Sequence, residues 1–157
     1  MVDCGCKNIV CIRGPVEVSS ARARYEGYCK VCHEQNIKLQ VVDSTYDFEK
    51  GLEVTETILS QYPNVDGIIA CNDMVAISVY KVLNGKGIRV PEDVQIIGYD
   101  NIRLSKLVTP AVTTISQPID EIGQKASELI INNDIDNNEK EFIFETKLII
   151  RETTKLK

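Results

Sequence analysis

Val94-Gln95-Ile96-Ile97-Gly98-Tyr99-Asp100-Asn101 is the stretch on which the fold turns. A mostly apolar run passes into a glycine, an aromatic, a carboxylate and a carboxamide, as in a buried parallel strand that delivers polar groups at its C-terminal end. Earlier runs repeat the pattern. Ile9-Val10-Cys11-Ile12 leads into Arg13-Gly14-Pro15, Leu39-Gln40-Val41-Val42 into Asp43-Ser44-Thr45-Tyr46, and Gly67-Ile68-Ile69-Ala70 into Cys71-Asn72-Asp73. In an open α/β sheet ligands sit outside the carboxyl ends of the strands, so these loops are expected to line one crevice.

Between the strands lie helical patterns, which makes the expected class α/β, a parallel-sheet, Rossmann-like lobe with helices on both faces. The first helix runs from about Ser20 to Gln35, with Ala21, Tyr25, Tyr28, Cys29 and Cys32 as its core stripe and Arg22, Glu26, Lys30 and Glu34 off it. The second follows the N-cap Asp47 and ends at Pro63, and the third follows Asp73, read as its cap, and ends near Gly85 and Gly87. After Asp100 the pattern changes. Val112 to Ile115 makes a short strand, Gln117-Pro118 starts a helix with Ile119, Ile122, Ala126, Leu129 and Ile130 on its apolar face, and a polar linker from Asn132 to Glu141 precedes an alternating strand from Phe142 to Ile150.

The length of 157 residues fits one domain, and a hydrophobic fraction of 43% can supply its core. A formal charge of -5 argues against phosphate-backbone contact by this chain itself. No apolar run is long enough for a bilayer and Met1-Val2-Asp3-Cys4 is no secretory leader, so the expected location is cytoplasmic, with no membrane partner. The six cysteines are then expected as reduced, apolar thiols. Cys29-Lys30-Val31-Cys32-His33 matches a haem-attachment pattern and Cys4, Cys6, Cys29 and Cys32 have the residue types of a zinc site, but Cys29 and Cys32 fall on the core stripe. No metal and no cofactor are expected.

Several segments together carry a family resemblance. Gly14-Pro15 followed by Ser20-Ala21-Arg22-Ala23-Arg24-Tyr25-Glu26-Gly27-Tyr28, then Asn72-Asp73-Met74-Val75-Ala76, Arg89-Val90-Pro91-Glu92-Asp93-Val94, Ile97-Gly98-Tyr99-Asp100-Asn101 and Thr113-Thr114-Ile115-Ser116-Gln117-Pro118 occur in this order. In that order and spacing, from about Lys7 to the C-terminus, the chain resembles the C-terminal part of the lactose and galactose repressor (LacI/GalR) family of transcription regulators. The resemblance implies a periplasmic-binding-protein-like lobe that binds a small sugar or sugar phosphate and couples it to operator affinity. The helix-turn-helix and first lobe of such a repressor have no counterpart here. Operator DNA is therefore a partner only through a region absent from this chain, and helix 118–132 would belong to the absent first lobe before strand 142–150 returns.

Residue by residue, the resemblance places Arg22 on the effector through its guanidinium fork, Asp100 as acceptor for sugar hydroxyls, Asn72 as donor and acceptor, Tyr46 as an aromatic wall, and Gln117 at the crossover between lobes. Val18 departs from members with a polar residue there. The resemblance also implies a homodimer through the helix after Asn72-Asp73 and the segment after Asp100, with Val75, Ile77, Leu104 and Leu107 as an exposed apolar patch. A helix as apolar as 118–132 is expected to be covered, by another copy or by its own lobe.

Two rival readings remain. A transport-type sugar-binding protein of similar fold is opposed by the cysteines and the closing motifs. A phosphoryl-transfer enzyme using Asp100 as acceptor needs further acids for Mg²⁺ near the strand ends, and the first strand supplies Arg13-Gly14-Pro15 instead; no nucleophile elbow or phosphate loop is present. No enzymatic activity is expected.

Overall fold

The computed structural model describes residues 1–132 and 141–155; the expected polar linker therefore lies largely outside the described residues. Six strands form one sheet: β1 (Ile9–Arg13), β2 (Val41–Asp43), β3 (Gly67–Ile69), β4 (Gln95–Asp100), β5 (Thr113–Ser116) and β6 (Lys147–Ile149). They are ordered β2-β1-β3-β4-β5-β6. The first five are parallel, with Cys11 facing Val41 and Ile69, Ile69 facing Ile97, and Asp100 facing Ser116. Only β6 is antiparallel, pairing Thr114 with Ile149 and Ser116 with Lys147. All five parallel carboxyl ends consequently open on one edge.

Helices α1 (Ser19–Glu34), α2 (Phe48–Gln61), α3 (Asp73–Gly85) and α4 (Ile119–Ile131) complete the described elements, with 3-10 turns at Val2–Cys4 and Arg103–Lys106. Helices α2 and α3 pack together on one sheet face, where Val10, Ile12, Ile68 and Ile96 of the strands meet Val54, Ile58, Val75, Val79 and Leu83. Helix α1 covers part of the other face, setting Tyr28 and Cys32 against Ile9 and Cys11. The Tyr28 hydroxyl donates to the carbonyls of Ile9 at 2.9 Å and Gln40 at 3.1 Å, which lets a phenol end be buried without an orphaned donor. Cys6, Cys11, Cys32 and Cys71 are buried, Cys32 on the core stripe of α1.

The helix starts need one correction. Asp47 caps α2 as expected, its carboxylate accepting from Lys50 N–H at 2.8 Å. In α3, however, the cap is Asn72, whose Oδ1 accepts from Val75 N–H at 2.9 Å. Asp73 is already inside the helix and fully buried, with its carboxylate turned to β5 and the loop after β4.

Two further expectations fail. Val75 is fully buried and Ile77 is 8% exposed, because α3 is wedged between the sheet and α2; of the proposed patch only Leu104 and Leu107 are exposed. The last strand is also shorter than Phe142 to Ile150, since β5 ends at Ser116 and leaves residues 141–146 without a ladder partner. Helix α4 has no buried residue, and Ile119 and Ile130 are 63% and 66% exposed, so it does not fold back onto its own lobe.

Candidate functional site

The crevice is built by the loops at the carboxyl ends of β1 to β5, and its centre is the topological switch point between β1 and β3. Arg24, on α1, reaches across this point. Its Nη1 donates to the Cys71 carbonyl at 2.8 Å, its Nη2 to the Tyr46 hydroxyl at 3.2 Å, and its Nε to the Ser20 carbonyl at 3.0 Å. The guanidinium lies 4.3 Å from the centre of the Tyr99 ring, a cation–π geometry that holds the plane of the fork. Three of its five N–H donors are used, which leaves two for a ligand.

Arg22 is not part of this group. Its Nη1 donates to the carbonyls of Val16 at 2.9 Å and Glu17 at 3.2 Å, which folds the exposed side chain back over the turn before α1. Helix geometry separates the two arginines. Arg24 stands three residues after buried Ala21 and four before buried Tyr28, on the sheet-facing stripe, whereas Arg22 is off it.

Asp100 and Gln117 are brought together, Gln117 Nε2 donating to Asp100 Oδ1 at 2.8 Å. Burial raises the Asp100 carboxyl above its ordinary range, the Gln117 bond lowers it, the Asp73 carboxylate raises it and Arg24 lowers it; the net direction is up. Asp100 and Asn101 both have positive φ, 104° and 57°, so the chain turns sharply as it leaves β4. Gly98 lies two residues earlier because a Cβ there would collide with the Asp73 carboxylate. That carboxylate accepts from the Thr114 hydroxyl at 2.6 Å and from Ile102 N–H at 2.9 Å, while burial raises its pKa.

Tyr46 forms the opposite wall, its ring lying against Gly14, where an added Cβ would approach it to 2.8 Å. Asn72 is less available than expected. Its Nδ2 donates to the Tyr46 carbonyl at 2.9 Å while its Oδ1 caps α3, so its carboxamide ties the loop after β2 to the start of α3. Arg13, at the end of β1, is held by both oxygens of Asp43 at 2.6 and 3.0 Å, which raises its own pKa and fixes the β1–β2 rim. The crevice thus presents an arginine fork, a carboxylate–carboxamide pair and two aromatic faces. An apolar cavity of about 350 Å³ continues from Arg24 and Tyr99 beneath α1, lined by Ile69, Ile97 and Ile115.

Residues 1–154 match the periplasmic binding protein-like domain. The ribose operon repressor of Halalkalibacterium halodurans is 37% identical over 157 residues, an alignment covering 99% of this chain and 47% of that protein. Among solved structures, a periplasmic binding protein/LacI transcriptional regulator from Alkaliphilus metalliredigens complexed with D-xylulofuranose is 32% identical with a TM-score of 0.86, covering 99% of this chain and 59% of the other. A LacI family regulator from Enterococcus faecium with bound ribose is 28% identical with a TM-score of 0.87, covering 98% and 58%. The chain spans about half the length of the curated relatives it matches.

Proposed function

The chain belongs to the periplasmic binding protein-like domain family, and from that premise we propose that it is the effector-binding lobe of a LacI-type transcription repressor, sensing a small sugar. The observation that carries this reading is the convergence of Arg24 with the Asp100–Gln117 pair across the β1–β3 switch point. A polyol offers neighbouring hydroxyls, each both donor and acceptor. Asp100 accepts from two of them, the free N–H groups of Arg24 donate to ring or hydroxyl oxygens, and Tyr46 and Tyr99 cover the C–H faces.

Relatives crystallised with ribose and with D-xylulofuranose support a five-carbon sugar, with sugar phosphates as the wider class. Sugar binding then changes operator affinity only through differential affinity for two arrangements of the complete repressor. Operator DNA is reached through segments outside this chain. No reaction is assigned, since the crevice residues recognise hydroxyls without a paired nucleophile and base. The relatives' repressor names favour this sensor over a transport-type binding protein, and a cytoplasmic location goes with that reading. Among the described residues no helix is long and apolar enough to cross a membrane. Homodimerisation is proposed through the 3-10 turn at Arg103–Lys106, where Leu104 and Leu107 stand exposed, while the open face of α4 suits a first lobe or a second copy.

A thermal-shift screen of pentoses, hexoses, disaccharides and their phosphates tests the proposal, since a ligand that binds the folded state raises the midpoint. A rise with a pentose that disappears in Asp100→Asn is expected. A rise of equal size in wild type and variant would remove Asp100 from the site.

A further inference from the structure

The last described segment, paired to β5 through β6, also reaches the turn after β4 through one guanidinium. Arg151, just after β6, donates through Nη1 to the Val112 carbonyl at 2.7 Å and the Ser105 hydroxyl at 3.1 Å, and through Nη2 to Asn101 Oδ1. Its backbone N–H donates to Thr113 Oγ1 at 2.9 Å. Asn101 is held from its other end as well: Nδ2 donates to the Ser116 hydroxyl at 3.0 Å and its N–H to Thr114 Oγ1 at 3.3 Å. The next N–H, of Ile102, is held by Asp73.

These bonds surround the residue directly after Asp100. Asp100 and Asn101 occupy positive φ without being glycine, and such backbone persists only where its surroundings over-determine it. Arg151 supplies that constraint from three segments at once: the turn after β4, the 3-10 turn at Ser105 and the entry to β5. A planar fork can reach all three acceptors, whereas a lysine ammonium on a flexible stem cannot hold the same geometry.

We propose that Arg151 is a positioning residue for effector recognition, locking Asn101 so that Asp100 faces the crevice. Because Arg151 sits on the returning segment, its guanidinium, rather than the other contacts of residues 147–155 with β5, links that segment to the effector-binding turn. The proposal rests on the reading of Asp100 as an effector acceptor.

The test compares wild type, Arg151→Met, Arg151→Lys and Thr153→Val by NMR, with D-ribose as the probe. Thr153 is a matched structural control, since its buried hydroxyl donates to the Ile96 carbonyl at 2.8 Å and accepts from Thr113 N–H away from the crevice. Arg151→Met is expected to weaken D-ribose by about tenfold or more and to lose the strong intraresidue HN–Hα NOE that the short distance in a left-handed Asn101 gives, with Arg151→Lys between it and wild type. Thr153→Val is expected to lower the melting temperature while holding affinity within about twofold. Wild-type affinity and an unchanged Asn101 NOE in Arg151→Met, or an equal loss of affinity in Thr153→Val, would overturn the proposal. If wild type binds no D-ribose, the pentose reading fails on its own. The Asn101 NOE then still decides for Arg151: its loss in Arg151→Met supports the positioning role and its persistence overturns it. Should Arg151→Met not fold, the same NOE in Arg151→Lys decides.

Discussion

Gly98→Ala isolates the contact that holds the effector-binding turn in place. The new Cβ would strike Asp73 Oδ1 and lie 3.3 Å from both the Asp73 Cα and the Ala76 Cβ, so the helix cannot simply slide away. The carboxylate must move, yet it is the acceptor for Thr114 and Ile102 in a fully buried site. Overpacking costs about 1–3 kcal/mol, and losing one hydrogen bond to a charged acceptor about 1.5–3 kcal/mol. If the second bond re-forms after the shift, the sum is about 2.5–6 kcal/mol, a large share of the ~5–15 kcal/mol of an ordinary domain. Urea unfolding should show the loss as a lower midpoint with an unchanged slope. The same substitution at Gly27 is the control, since no atom lies within 4 Å of its Cβ and α1 should gain about 0.5–1 kcal/mol. A Gly98→Ala loss below ~1 kcal/mol would refute the reasoning, because the Asp73 carboxylate would then have room to yield.

Other expectations follow from the charges and thiols. Asp93 is held at about 2, below its usual 3.8, chiefly by the Arg89 side chain. Its stabilisation is therefore full above 3.8 and lost as pH falls through about 2, and Asp93→Asn should remove that part of the acid limb in a pH series of melting temperatures. Asp73 and Asp100 act in the opposite sense: their raised folded pKa values favour the protonated form, so their contribution is lost as pH rises through those values. Asp100→Asn should consequently flatten the mildly acidic side of the same series. Burial pushes Cys11 up to about 12 and Cys6 and Cys71 up to about 11, so at pH 8 a thiol reagent should label Cys4 and Cys29 first; Cys11 labelling as fast as Cys29 would contradict the packing beneath α1.

The sheet was legible because each strand is a short apolar run ending in polar loop residues, and the α2 start because Asp47 stands just before an apolar stripe. The site was only partly legible. Asp100 and Gln117 meet through the register that pairs Asp100 with Ser116, which the strand runs alone do not give. Arg24 rather than Arg22 reaches the Tyr46 loop because of the helix face, and that signal was present, since Ala21 and Tyr28 mark which side is buried. Burial at Val75 and Ile77 was hidden because α3 is covered by both the sheet and α2, so no outward face could be read from its own period. Arg151 carried no local signal at all, because its partners Asn101, Ser105 and Val112 are distant in sequence and converge only through β6.

The central claim, a sugar held between Arg24 and Asp100, is tested most directly by titrating D-ribose into labelled protein and mapping the saturable shifts. Arg24, Tyr46 and Asp100 are only half-buried, so a dissociation constant on the order of millimolar is expected, about 4 kcal/mol of binding. Shifts at Arg24 Nε, Tyr46, Asp100, Asn101 and Gln117 are predicted, abolished in Arg24→Ala and preserved in Arg22→Ala. Saturable shifts that survive Arg24→Ala but vanish in Arg22→Ala, or that cluster away from the carboxyl ends of the strands, would contradict the account.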